Sequence, residues 1–175
     1  MRKKILFLIL VILISLASGS CKRISNKNET ETKEVILASF TVLADIISNV
    51  AKDEFIVRSI TKPGVEVHGY QPTPSDLVNA SSAFVFIDNG FGFELWAEKF
   101  VSNLKVKRIT VAEDLDPIFI NEDFYKGKPN PHAWISPKRG ILYVDILVDS
   151  LSELRPSKRT LFEEMEKFIK INSLN

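Results

Sequence analysis

Two short apolar runs, Val35 to Ser39 and Ala83-Phe84-Val85-Phe86-Ile87, constrain the fold of this chain most. Runs this short, without polar alternation, suit strands covered on both faces, as in a parallel sheet. Phe55 to Ile60 and Val106 to Val111 read as two further strands. Between the first two strands Val42, Leu43, Ile46, Ile47 and Val50 recur at helical spacing and form one apolar stripe. A short helix is predicted over Pro74–Ala80, with Thr73 as its cap, Pro74 in its first turn and Asp76 near its positive end. Another is predicted over Phe93–Leu104, carrying Trp96 and Phe100. Strands alternating with helices in this way predict an α/β fold, a parallel sheet with helices on both faces.

After the fourth strand, residues 112–131 hold Pro117, Pro129, Pro131 and several acidic residues, and read as a surface connection. Ser136-Pro137 then signals a helix start. That helix, to Leu154, is expected to bury Ile141, Leu142, Ile146, Leu147, Leu151 and Leu154. Pro156-Ser157 breaks it and starts a last helix, to about Ile171, presenting Leu161, Phe162, Met165, Phe168 and Ile169. That apolar face needs a partner: either the helix folds back on the sheet or it runs on to something beyond Asn175.

The amino terminus is set apart from the fold. Arg2, Lys3 and Lys4 precede a segment, Ile5 to Ala17, that is apolar everywhere except Ser15. Ser18-Gly19-Ser20 are small, and Cys21, the only cysteine, follows at once. Residues 1–20 therefore read as an export signal, shorter than the roughly 20 apolar residues of a membrane span. The position of Cys21 resembles that of the lipid-bearing cysteine of a bacterial lipoprotein, although Ser18 stands where a branched residue is usual. Residues 21–33 read as a flexible tether, polar from Lys22 to Lys33 apart from Ile24. The first twenty residues carry three positive charges and no negative one, so without them the formal charge falls from +1 to −2. No basic face advertises nucleic acid.

Chemistry is concentrated around the two histidines of the chain. His68 lies in a stretch rich in proline and glycine, Lys62 to Asp76, at the carboxyl end of the second strand. His132 lies in Asn130-Pro131-His132-Ala133-Trp134, after the fourth. Loops at that end of an open α/β sheet are where ligand groups are placed. A neutral imidazole donates a lone pair to a metal without burying a negative charge. Two imidazoles make only half of a four-coordinate shell, however. Glu66, Asp76, Asp88, Glu113 and Asp114 are candidates for the rest, none distinguished by spacing. On spacing alone, two partly exposed, hydrogen-bonding loop histidines describe the pattern better. Trp134 and Tyr70 read as packing residues, and Asn89, Gly90 and Gly92 as turn residues.

The flanking residues shift that balance. Three segments occur in order: Gly64-x-Glu66-x-His68-x-Tyr70-Gln71-Pro72-Thr73-Pro74-Ser75-Asp76, then Asn89-Gly90-x-Gly92-x-Glu94-x-Trp96, then Asn130-Pro131-His132-Ala133-Trp134-Ile135-Ser136-Pro137. Together they resemble the solute-binding lipoproteins of zinc and manganese ABC importers, the group that includes metal-binding surface adhesins. The resemblance runs from about Val35 to the last helix. It implies that His68 and His132 are metal ligands, each with its second ring nitrogen held by a neighbouring acceptor. Glu66, Val67, Gly69 and Gln71 stand where the family usually has Asp, Pro, Glu and Glu.

Members of that family have two α/β lobes joined by a long helix, with two further ligands on the second lobe. The resemblance therefore implies one amino-terminal lobe over residues 34–155, and the truncated start of the linking helix over 156–175. It also implies an exported, lipid-anchored receptor that hands zinc or manganese to a membrane permease, with no organic cofactor and no catalysis. The absence of a His-rich acidic loop leans towards manganese. Two other classes compete: a metal-dependent hydrolase using Glu66 or Asp76 beside the histidines, which lacks a His-Glu-x-x-His helix, and a surface lipoprotein without transport function.

Overall fold

The structure, a computed structural model, describes residues 32–102 and 104–173. The expected export signal, Cys21 and nearly all of the tether lie outside the described residues. From Lys33 onward the chain forms one compact unit. Four strands, β1 (Val35–Ala38), β2 (Ile56–Ser59), β3 (Val85–Asp88) and β4 (Lys107–Thr110), form an entirely parallel sheet in the order β2-β1-β3-β4. The chain leaves β1 towards β2 and then crosses back to β3. The carboxyl ends of β1 and β3 thus flank the point where the winding reverses, the place where open α/β sheets form a crevice.

Helices α1 (Thr41–Ala51), α2 (Pro74–Ser81), α3 (Ala97–Ser102), α4 (Pro137–Leu154) and α5 (Arg159–Ser173) cover the sheet. Ile36 and Ala38 of β1 and Val85 and Ile87 of β3 pack into the larger core, with α1, α4 and Phe162 of α5. Leu37 and Phe86 point the other way, towards Ala80 of α2 and Ala97 and Phe100 of α3. The central strands β1 and β3 are buried on both faces, which is why they lack polar alternation. Edge strand β2, in contrast, alternates exposed and half-buried residues. Among the described residues no helix is long and apolar enough to cross a membrane.

Two expectations change, and one of two open alternatives is met. Residues 93–96 are turns, and α3 begins only at Ala97. Gly90, Phe91 and Gly92 all have positive φ, and the side chain of Glu94 turns back to accept the N–H groups of Asn89 and Gly90. That carboxylate completes a tight loop in place of a first helical turn. Helix α4 buries Leu147 and Leu151 as expected, with Ile146 and Leu154 packed on the core, but its buried face also takes in Tyr143, Val144, Val148 and Ser152, while Leu142 is exposed. It is packed by α1 on one side and α5 on another, so two stripes are covered rather than one. Finally, α5 folds back on α4 and α1. Phe162 is fully buried and stacks on Phe55, with ring centroids 6.5 Å apart. Lys170 reaches across to Asp145 of α4 at 2.8 Å.

Candidate metal centre

His68 and His132 stand 64 positions apart in the chain, yet their Nε2 atoms are 3.3 Å apart. Both residues are exposed. The loop after β2 delivers the first, and the connection after β4 delivers the second, over the carboxyl edge of the sheet. Phe93 lies beneath both rings, edge-on at 4.6 Å from His68 and 5.4 Å from His132. Phe40 and Trp134 pack on Phe93 in turn, and Trp134 also lies 5.4 Å from His132. The histidines therefore rest on an aromatic floor continuous with the core.

Each histidine loop is gripped through the carbonyl just before it. The indole Nε1 of Trp96 donates to the Val67 carbonyl at 2.9 Å, and the amide Nδ2 of Asn89 donates to the Pro131 carbonyl at 2.9 Å. Glu66 stiffens the first loop from within, accepting the N–H groups of His68 and Gly69 at 2.7 and 2.6 Å. Those backbone donors, with the nearby His68 ring, hold its carboxyl below the usual range. Asp76 closes the other end of the loop as part of a capping box with Thr73, and accepts the Tyr70 hydroxyl at 2.9 Å. Partial burial opposes its ionisation, but the Thr73 N–H and the Thr73 and Tyr70 hydroxyls outweigh burial and keep its pKa low.

The tautomer of His132 follows from its partners. Asn130 accepts the backbone N–H of His132 at 3.0 Å, so the atom facing it must be the amide oxygen. The same oxygen lies 3.2 Å from Nδ1 of His132, so Nδ1 carries the proton and Nε2 keeps its lone pair. Partial desolvation where the otherwise exposed ring packs on Phe93 and Trp134, and then the neighbouring His68, lower the pKa of His132 and favour the neutral, metal-competent ring. His68 lacks the matching arrangement: no acceptor faces its Nδ1 among the described residues.

The separation of the two Nε2 atoms fits one ion. Zinc binds imidazole at about 2.0–2.1 Å in tetrahedral geometry, which places adjacent donors about 3.3–3.4 Å apart. The carboxylates considered from the sequence do not join them. Glu66 and Asp76 face their own loop, Asp88 pairs with Arg108, and Glu113 and Asp114 sit exposed in a 3-10 turn after β4. Among the described residues no three His, Cys, Asp or Glu side chains converge. The hydrolytic arrangement, with Glu66 or Asp76 beside the ion, is thus not formed.

Spacing gave no sign of the support below the histidines. Glu94 is 5% exposed and accepts the Ser39 hydroxyl at 2.5 Å and the Asn89 N–H at 2.9 Å, across the ends of β1 and β3. Burial pushes its carboxyl up to about 7, against the Ser39, Asn89 and Gly90 donors and with help from nearby Asp88. A carboxyl raised from an ordinary 4.5 favours the folded state when protonated. Its contribution is intact below 4.5 and is lost as pH rises from 4.5 to about 7. Glu94 alone should therefore lower stability across that window, by about 3 kcal/mol at most, against an opposite contribution from His132, whose lowered pKa adds stability as pH rises towards 6.5, and Glu94→Gln should remove the falling component. An unchanged slope in the variant would remove Glu94 as its source.

Several known proteins are similar to this chain. The iron-binding protein YfeA of Yersinia pestis is 40% identical over 149 residues, covering 85% of this chain and 48% of its own length. The manganese ABC transporter substrate-binding lipoprotein PsaA of Streptococcus pneumoniae is 30% identical, covering 91% of this chain and 53% of its own. Among solved structures, the Mn-bound periplasmic metal binding protein of Candidatus Liberibacter asiaticus superposes with a TM-score of 0.71 at 34% identity, over 77% of this chain and 51% of that one. The chain thus spans about half the length of the curated relatives it matches. Residues 36–170 match the family model described as zinc-uptake complex component A, periplasmic, and the chain belongs to that family.

Proposed function

We propose that this chain is the metal-capturing lobe of an extracytoplasmic substrate-binding component, serving an ABC importer of divalent transition metals. His68 and His132 each donate Nε2 to the ion. The observation that carries this reading is the 3.3 Å approach of two exposed imidazoles from separate loops, with the Nε2 lone pair of His132 left free by Asn130. The named relatives, which bind iron or manganese, support metal as the class of cargo. A zinc-bound relative, AdcA of Streptococcus pneumoniae, supports it from structure, with a TM-score of 0.68 at 27% identity over 79% of this chain and 30% of that one. Reversible capture is the role here, not catalysis, and the partner is a membrane permease. Cys21 carries the lipid that holds the protein on the outer side of the membrane, with residues 21–33 as its tether. Residues 34–155 form the lobe, and 156–175 begin the linking helix.

Two imidazoles fill half of a tetrahedral shell, so the affinity of this chain alone is expected to fall far below that of a four-ligand site. Calorimetric titration of the purified chain with zinc and with manganese tests the reading. Weak, saturable binding that disappears at acid pH, where protons compete with metal for imidazole nitrogen, supports it. No saturable binding at neutral pH and millimolar metal would contradict it.

A further inference from the structure

Asn89 looked from the sequence like an ordinary turn residue, but its side chain is fully buried and every polar atom on it is engaged. Its Nδ2 lies 3.0 Å from the Gly90 carbonyl and 2.9 Å from the Pro131 carbonyl. Carbonyls only accept, so nitrogen must face them, and Oδ1 must face Tyr143. The Tyr143 hydroxyl donates to Oδ1 at 2.6 Å, and burial together with the charge of Glu94 keeps that phenol protonated. The backbone of Asn89 is fixed as well, its N–H donating to Glu94 and its carbonyl accepting from Ala112 at 2.7 Å. The amide cannot swivel without leaving buried donors and acceptors unpaired.

We propose that Asn89 is a positioning residue for His132: braced by Tyr143 of α4, it holds the Pro131 peptide and thereby sets the distance between the two imidazoles. Pro131 has no N–H and a fixed φ, so its carbonyl is the handle by which the start of the His132 residue can be held. Asn130 holds the same residue at its N–H and ring, so His132 is pinned from both sides. The His68 loop has a separate handle, Trp96 on the Val67 carbonyl. Two independent clamps, one per ligand, preorganise the donor pair before an ion arrives. The inference rests on the histidine-pair reading for its functional consequence, and on geometry alone for the clamp itself.

The chain has two histidines, so ring resonances in a nuclear magnetic resonance spectrum form two sets, assignable with His68→Ala. Asn89→Ala and the milder Tyr143→Phe are each expected to shift the His132 ring signals while leaving those of His68 in place. Each should also weaken zinc binding, by about tenfold or more for Asn89→Ala. Trp96→Phe should do the converse, moving His68 and sparing His132. His132 signals that stay put in both variants, or equal movement of both histidines, would overturn the proposal. If Asn89→Ala does not fold, Tyr143→Phe decides between the same outcomes. If the unsubstituted chain takes up no zinc, the metal reading fails, while the ring signals still decide whether the clamp exists.

Discussion

Alanine in place of either His68 or His132 is expected to reduce zinc affinity by more than about 100-fold, a loss of about 2.7 kcal/mol or more. Each ring supplies one of two converging donors, and a single exposed imidazole is little better than a histidine in solution. The substitutions should leave folding nearly untouched. Both rings lie above Phe93 at the surface, and truncating exposed side chains usually changes stability within about 0.5 kcal/mol. Chelator competition for zinc, paired with thermal unfolding of the apo chain, separates the two effects. Full affinity in either variant would mean that the ion, if bound, sits elsewhere.

The second large effect concerns the last helix. Phe162→Ala is expected to destabilise the unit by about 3–5 kcal/mol, the range for truncating a buried aromatic side chain. Phe162 is fully buried and stacks on Phe55, which in turn stacks on Phe84 beside the sheet, with the Arg155 guanidinium 5.4 Å from the Phe55 ring. The ion pairs at and just before α5, Lys170 to Asp145 and Lys158 to Glu54, are partly exposed and add far less. Phe168, on the same helix but 57% exposed, provides the comparison: its alanine variant should change stability by less than about 0.5 kcal/mol. Urea unfolding of the two variants measures the difference. A cost below about 1 kcal/mol for Phe162→Ala would show that α5 is an appendage, not part of the core.

What could be read from the sequence follows from the range over which each feature is determined. The central strands were legible because burial on both faces leaves no room for polar residues, and the start of α2 because Thr73, Pro74 and Asp76 are local cap chemistry. The convergence of His68 and His132 was an expectation that only topology could meet. It follows from β2 and β4 both ending at the edge where the loops after β3 also gather. The false start of α3 has the opposite origin. Residues 93–96 carry helix-compatible residues, but a buried carboxylate contacting Asn89, Gly90 and Ser39 decides their conformation, and those partners lie up to 55 positions away. Tyr143 was passed over for the same reason. Its neighbours Ile141 and Leu142 look more apolar, yet Ile141 is only half-buried and Leu142 exposed, while the Tyr143 hydroxyl has a buried partner in Asn89. Of the polar residues beneath the site, Glu94 and Asn89 appeared in the resemblance only as fixed letters, and their bonds give those letters a physical reason.

The most direct test of the central claim is X-ray absorption at the zinc edge of the chain loaded with one equivalent of zinc at a concentration high enough for binding. The account predicts two imidazole ligands per ion, at about 2.0–2.1 Å, reduced to one in the His68→Ala and His132→Ala variants. A spectrum with oxygen donors only, or one unchanged in both variants, would contradict it.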